Sequence, residues 1–123
     1  MTAATGTGLL AAFNATRGRL VAGRVATAGD CASRNQGLLG RASLDEGEGL
    51  WIVPCPMIHT FFMKFPIDVL FLDRGLRVVR VIEDLRPWRL SPWVLSAHSA
   101  LELEGGALNG SVAVGDRLEM RPA

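Results

Sequence analysis

Three side chains in the middle of the chain have the chemistry of a nucleophilic site. Cys55, His59 and Asp68 follow one another in the order Cys-His-Asp. In such an arrangement the histidine takes the thiol proton and the carboxylate orients the histidine. Such sites are recognised by the geometry of the three side chains, so the sequence shows only that the required residue types are present. The sequence therefore keeps open a hydrolase that uses His59 and Asp68 with either Cys55 or a bound water.

Asp68 also has a structural interpretation. It lies in the apolar run 67–72, and a carboxylate buried in such a run must be paired, hydrogen-bonded or protonated. We expect Asp68 to accept hydrogen bonds from backbone amides or from a buried arginine, and we specifically predict a pair with Arg41.

His59 can act as a general base, as a ligand or as a hydrogen bonder that ties down a loop. Asp68 or Glu102 would be its partner. Thiolate and imidazole groups suit zinc, but Pro56 disfavours the helix that would align Cys55 with His59, and no Cys-x-x-Cys pair occurs. The candidate metal ligands are Cys31, Cys55, His59 and His98. Because their spacing is poor, we predict no metal and no cofactor.

Aromatic side chains are concentrated in two segments. Residues 61–65 include three phenylalanines, and residues 86–93 include two tryptophans, two prolines and two arginines. Tryptophan and arginine in a proline-stiffened loop are residue types that anchor interfaces. The alternative is a lid over one end of the fold, with the indoles of Trp88 and Trp93 packed on the core.

Two classes of function follow from these residues. The first is a binding module for a small molecule or a peptide, and the second is the hydrolase. We favour the binding module because no catalytic signature reaches motif strength. Both hypotheses require Arg41, His59 and Asp68 to converge on one open pocket. The predicted ligand-binding residues are Arg41, His59, Phe62, Trp88 and Trp93.

Short apolar runs separated by turn residues predict a mostly β fold. Strands are expected at residues 9–13, 20–27, 67–73, 76–82, 99–104 and 117–121. The run 67–73 is apolar on both faces, which predicts a central strand, and Arg74-Gly75 predicts a hairpin turn after it. Glu102 and Glu104 alternate with leucines, which predicts that both carboxylates lie on a solvated face.

One short helix is expected to begin near Asp30 or Ser33 and to end by Gly40. With about seven strands and this helix, the sequence predicts a compact β-sandwich or barrel.

Four motifs in order resemble a known family, the domain of unknown function 192. They are Gly37–Arg41, His59–Asp73, Leu101–Leu103 and the pair Gly115-Asp116. The resemblance runs from about Leu20 to the end of the chain. It implies a β-sandwich of jelly-roll type and no established activity, and it leaves the function open.

The composition limits the partners. The chain has 123 residues and a formal net charge of +1, so we expect neither nucleic acid nor a membrane surface as a partner. We predict a single domain over 1–123 with a flexible tail at 1–8. The start of the chain lacks the basic residues and the long apolar run of a leader, so we expect a cytoplasmic protein. A weak homo-oligomer stays open.

Overall fold

The structure, a computed structural model, describes residues 8–29 and 41–123. These residues contain seven β-strands and no helix. The predicted helix at 30–40 and residues 1–7 of the predicted tail lie outside the described residues. The strands are β1 (Leu10–Asn14), β2 (Arg19–Ala28), β3 (Glu48–Ile52), β4 (Ile67–Leu72), β5 (Val78–Leu85), β6 (Ser99–Glu104) and β7 (Leu118–Pro122).

The strands form one sheet in the order β5-β4-β6-β3-β2-β1-β7. β2 and β3 run parallel, and all other neighbours run antiparallel. The sheet curls into a half-barrel. Its two ends meet where Arg77 and Arg117 form an isolated bridge and where Val78 N donates to Asp116 O at 2.8 Å. The predicted mostly β fold is confirmed, and its jelly-roll variant stays a prediction.

The core lies on both faces of the central strands. Every residue of β4 is buried. Val69 and Phe71 belong to one apolar cluster, whereas Leu70 and Leu72 belong to another. Successive side chains of a strand point to opposite faces, so the two clusters cover the two faces of the sheet. The prediction of a central strand is confirmed.

The hairpin that joins β4 to β5 is confirmed as well. The Oδ1 atom of Asp73 accepts hydrogen bonds from Gly75 N and Arg77 N, each at 2.9 Å. An aspartate that bonds the backbone a few residues further on stabilises a turn, and glycine adapts easily to it. The turn therefore forms from its own local chemistry.

β3 has no counterpart among the predicted strands. Its glycine, Gly49, packs closely on β6, because a Cβ atom there would lie 2.9 Å from Leu103 Cδ2 and 3.3 Å from the Glu102 carbonyl oxygen. Glycine in a sequence usually indicates a turn. Here it allows the backbones of two strands and a leucine to fit together.

The prediction that Glu102 lies on a solvated face is wrong, although Glu104 is exposed as predicted. β6 pairs with β4 on one side and β3 on the other, so Glu102 stands opposite Val69 and Leu50. Glu102 is only 4% exposed. The alternation of leucine and glutamate describes a half-buried strand, whereas the curled sheet covers both faces of β6.

A buried polar network connects β1 to the turn before β7. The Nδ2 atom of buried Asn14 donates to Asp116 Oδ2 at 3.0 Å. The same carboxylate accepts from Ala113 N at 3.0 Å and pairs with Arg17 Nε at 2.9 Å. Burial alone would raise the pKa of Asp116, but these three partners outweigh it and hold that pKa below its ordinary value. The Gly115-Asp116 motif therefore has a structural role.

Candidate functional site

Two loop segments lie side by side and carry most of the aromatic side chains singled out above. His59 and Leu90 form an isolated antiparallel bridge between the segment 58–63 and the segment 86–91. Ser91 N donates to Ile58 O at 2.8 Å, and Ser91 Oγ accepts from Ile58 N at 2.9 Å. The segment 58–63 is anchored in the core by buried Ile58 and Met63.

Thr60 is the centre of the contact between the two segments. It is fully buried. Its hydroxyl donates to Arg86 O at 2.6 Å and accepts from Arg89 N at 2.8 Å. Its backbone N donates to Arg89 O and its backbone O accepts from Trp88 N, both at 2.9 Å. The side chain and the backbone of one residue thus fix the position of the tryptophan loop.

Four rings lie together on the outside of this contact, and we refer to them as the aromatic cluster: His59, Phe61, Phe62 and Trp88. The His59 and Phe61 rings stack with centroids 5.3 Å apart, and the Phe62 and Trp88 rings are 4.6 Å apart. The Phe61 ring is 6.2 Å from Trp88. Phe62 is 69% exposed and Trp88 is 55% exposed. The cluster is therefore a continuous ring surface that is open to solvent.

The backbone at Phe62 and Trp88 is strained. Phe62 has a φ of 66° and Trp88 a φ of 65°. Bulky residues rarely adopt this left-handed conformation, which costs roughly 1–3 kcal/mol and is concentrated at functional sites. The hydrogen bond from Trp88 N to Thr60 O and the one from Met63 N to the same oxygen at 3.1 Å hold both turns in place.

The lid alternative, in which the indoles of Trp88 and Trp93 pack on the core, is wrong, because both residues are more than half exposed. Buried Ser91 and half-buried Val94 attach this loop to the fold instead. Trp93, at 62% exposure, has no ring contact with the aromatic cluster within the described part of the chain. The structure thus groups His59, Phe62 and Trp88 of the predicted ligand-binding residues.

Arg41 engages a different part of the molecule. Its Nη1 lies 2.5 Å and its Nη2 3.0 Å from the two carboxylate oxygens of Glu48, at the start of β3. This bidentate contact lowers the pKa of Glu48 and raises the pKa of Arg41. The predicted pair of Arg41 with Asp68 is therefore wrong, because the guanidinium is paired with Glu48 and the Asp68 oxygens accept backbone amides.

Asp68 is fully buried and accepts only backbone amides within the described residues. Its Oδ1 accepts from Asp84 N at 2.8 Å and Gly106 N at 3.1 Å, and its Oδ2 accepts from Leu108 N at 2.9 Å. The pairing of β4 with β5 is irregular near Asp84, which has a φ of 57°. The backbone-amide interpretation of Asp68 thus fits the structure: its carboxylate satisfies a bulge and a turn.

The residues of the hydrolase hypothesis have separate environments. The Cys55 thiol is buried and donates to Met57 O at 3.1 Å. His59 is exposed and stacks on Phe61, whereas both Asp68 oxygens are occupied by backbone amides. Arg41, His59 and Asp68 therefore bind three different sets of partners and do not line one open pocket. Neither site is formed in the way that the sequence hypotheses require.

Glu102 is the most perturbed carboxyl group in the described part of the chain. It lies between Val69 and Leu50 in the middle of the sheet. Burial raises its pKa to about 8, because a charged carboxylate is poorly solvated among apolar side chains. The group is therefore largely protonated at neutral pH.

Sequence reasoning missed the two residues that the structure distinguishes most clearly. Thr60 precedes the phenylalanine run, and its type alone does not show that it will bond a segment 26 to 29 residues further on. The buried state of Glu102 depends on sheet order. A signal was available for Thr60, since a polar residue between the apolar positions 58 and 63 of a loop anchored in the core is placed to satisfy backbone groups.

The described residues form neither a metal centre nor a membrane-spanning helix. No group of three or more His, Cys, Asp or Glu side chains among residues 8–29 and 41–123 is arranged to hold a metal ion. Cys31 lies outside those residues. In the same part of the chain no helix has the length and apolar character to cross a membrane.

The chain is a small β protein whose curled sheet forms a half-barrel, and it carries the exposed aromatic cluster. The family model of the domain of unknown function 192, described as an uncharacterised group, matches residues 12–120. The chain belongs to this family. The resemblance found from its four motifs is thereby confirmed.

Individual proteins are similar to this chain in sequence or in fold. The UPF0127 protein PH1112 of Pyrococcus horikoshii is 46% identical over 48 residues, and the match covers 39% of each chain, so this chain matches about two fifths of that relative's length. A crystal structure of a protein of unknown function from Novosphingobium aromaticivorans has a TM-score of 0.78 at 23% identity, covering 93% of this chain and 88% of that one.

A second crystal structure, from Sinorhizobium meliloti, also has a TM-score of 0.78. It is 25% identical, with coverage of 90% of this chain and 91% of that one, and that protein is described as "a putative transcription regulator". Both structures share the fold of this chain.

Proposed function

We propose that this protein is a binding module for a small molecule or a peptide whose binding surface is the aromatic cluster alone, without the Arg41 and Asp68 that the sequence hypothesis required. The observation that carries the proposal is the contact between Phe62 and Trp88, two rings that are mostly exposed and held on left-handed backbone. Exposed apolar groups are unfavourable in water. A contiguous patch of them is typical of an interaction site.

The surface is organised before any ligand arrives. Thr60 fixes the loop that carries Trp88, and buried Ile58 and Met63 fix the segment that carries Phe61 and Phe62. A preformed surface loses little conformational entropy on binding. Large aromatic side chains then supply contact area at low entropic cost.

A thermal-shift screen against metabolites, sugars and short peptides tests the proposal. A ligand that binds the folded chain must raise its melting temperature by mass action. We expect the shift produced by any hit to disappear in the double variant Phe62→Ala/Trp88→Ala. The matched control is Leu95→Ala, which removes a 90% exposed apolar side chain outside the cluster and should keep the shift. A shift that survives in the double variant, or a screen without any hit, would count against the proposal.

A further inference from the structure

The charged side chains of the two segments that form the site all have the same sign. Residues 58–64 and 86–91, which are these two segments with the adjoining Lys64, contain Lys64, Arg86 and Arg89 and no acidic residue. All three side chains are exposed. The carboxylate that approaches one of them is Asp84, whose Oδ2 is 3.8 Å from Arg86 Nε, with both side chains more than half exposed. Such a pair is weak and leaves the guanidinium available.

Arg89 is the cation nearest to the rings in the sequence. Its Nη1 makes a hydrogen bond to Trp88 O at 3.5 Å, which is the limit for such a bond. The other donors of this guanidinium make no hydrogen bond or ion pair within the described residues. A guanidinium with free donors beside an exposed indole is suited to a carboxylate that arrives with an apolar group.

Several backbone groups of the site already have hydrogen-bond partners, so a ligand contacts mainly the side chains. Thr60 N and O and the N–H groups of Trp88 and Arg89 are already used between the two segments. A ligand therefore cannot add a β-strand through these groups. Recognition through exposed rings is the mode by which extended proline-containing peptides bind aromatic surfaces.

On the basis of the proposed function, we infer that the aromatic cluster binds extended, proline-containing peptide segments with acidic side chains. The rings contact the prolines, and Lys64, Arg86 and Arg89 face the carboxylates.

Two other occupants fit the charges less well. In a two-fold dimer a surface patch meets itself, so a second copy of the chain would bring three cations against three cations. A single nucleic-acid strand requires a basic groove that follows its backbone, whereas this chain has a net charge of +1. Both occupants are outcomes of the test below.

The test compares three synthetic peptides that differ only in charge: acetyl-EPPEPPE-amide, its glutamine analogue and its lysine analogue. Fluorescence anisotropy of labelled peptides gives the dissociation constants. We expect the acidic peptide to bind about tenfold more tightly than the glutamine peptide, as two or three exposed ion pairs would give. In about 1 M sodium chloride, which screens charges beyond about 3 Å, the difference should nearly vanish.

Charge reversal provides the decisive variant. In Arg86→Glu/Arg89→Glu the lysine peptide should become the preferred ligand, and the acidic peptide should lose most of its affinity. The matched control is Arg19→Glu/Arg80→Glu, which makes the same change in net charge at two exposed arginines outside both segments and should keep the original preference. Unchanged circular dichroism spectra show that both variants fold.

The failing outcomes separate the two proposals. Equal binding of the acidic and glutamine peptides overturns the inference about charge and leaves the binding module standing. The inference also fails, and the binding module stands, if no peptide binds but a small molecule binds and is lost in Phe62→Ala/Trp88→Ala. Dimerisation through the cluster, seen in ultracentrifugation and lost in Trp88→Ala, or tighter binding of oligothymidylate than of the acidic peptide, also overturns the inference. If neither the thermal-shift screen nor the peptide set gives a ligand, both the proposed function and the peptide inference are overturned.

Discussion

Glu102 shows how strongly one position depends on its surroundings. The same residue type is exposed two positions later at Glu104, but Glu102 lies in the centre of the sheet, where burial raises its pKa to about 8. Between pH 4.5 and about pH 8 the folded state therefore holds a proton on Glu102, whereas the unfolded chain releases that proton near the ordinary pKa of 4.5. Folding and proton binding are linked through this side chain.

The linkage predicts how stability changes with pH. Because the folded pKa lies above the unfolded pKa, the free energy of unfolding should fall as pH rises from 4.5 to about 8. The contribution of one group has a limiting slope of about 1.4 kcal/mol per pH unit. In Glu102→Gln this slope should be absent, so the variant gains stability over the parent as pH increases, as measured by urea unfolding at several pH values.

The control for this prediction is Glu104→Gln, which changes an exposed carboxylate on the same strand and should keep the parent's pH profile. A Glu102→Gln profile that runs parallel to the parent's would show that the carboxyl of Glu102 does not titrate with a raised pKa.

Asp68 makes a second prediction at this scale. Its two oxygens satisfy three backbone N–H groups, and an asparagine would turn an N–H group towards at least one of them. We expect Asp68→Asn to lose about 1–3 kcal/mol of unfolding free energy, the cost of a buried unsatisfied donor. Asp84→Asn, an exposed change at a residue whose left-handed φ suits asparagine, should be nearly neutral. Equal stability of the two variants would contradict this account of Asp68.

At the scale of elements, the contact between the two site segments depends on one hydroxyl group. Thr60→Val keeps the shape of the side chain but leaves Arg86 O and Arg89 N without their partner. We expect a loss of about 1–3 kcal/mol in chemical unfolding and a reduced near-ultraviolet circular dichroism signal from the paired Phe62 and Trp88 rings.

Thr60→Ser retains the hydroxyl and should restore most of both properties. If valine and serine behave alike, packing rather than hydrogen bonding holds the two segments together.

The elements differ in how far their sequences determine them. The β4–β5 hairpin could be predicted because its turn is stabilised by local bonds from Asp73 and because β4 is apolar on both faces. β3 could not be predicted, because a glycine such as Gly49 usually indicates a turn. The close packing of Gly49 on β6, which requires a glycine, is visible only in the structure. The site falls between these cases. The aromatic residue types were recognisable, but the partner predicted for Arg41 was wrong, because residue types alone do not show that its guanidinium bonds Glu48, seven positions further on.

At the scale of the whole molecule, the half-barrel is held together by links between the beginning and the end of the chain. Asn14 and Asp116 form such a link across 102 positions. We expect Asn14→Leu to lower the unfolding free energy by about 1–3 kcal/mol at neutral pH, because the carboxylate loses a buried donor. A lowered folded pKa contributes stability above the unfolded value of 3.8 that is lost on acidification. The difference between parent and variant should therefore shrink below that pH, as thermal unfolding can measure.

The measurement that tests the central claim most directly follows the three indole N–H signals of the ¹⁵N-labelled protein while the acidic proline peptide is added. Trp51, Trp88 and Trp93 give one signal each, and the indole N–H of Trp51 is buried, so it serves as an internal reference. If the aromatic cluster is the binding surface, the Trp88 signal shifts in a saturable way, the Trp51 signal stays in place, and Phe62→Ala abolishes the shift. A titration in which Trp88 does not respond, or in which Trp51 moves as much as Trp88, would contradict it.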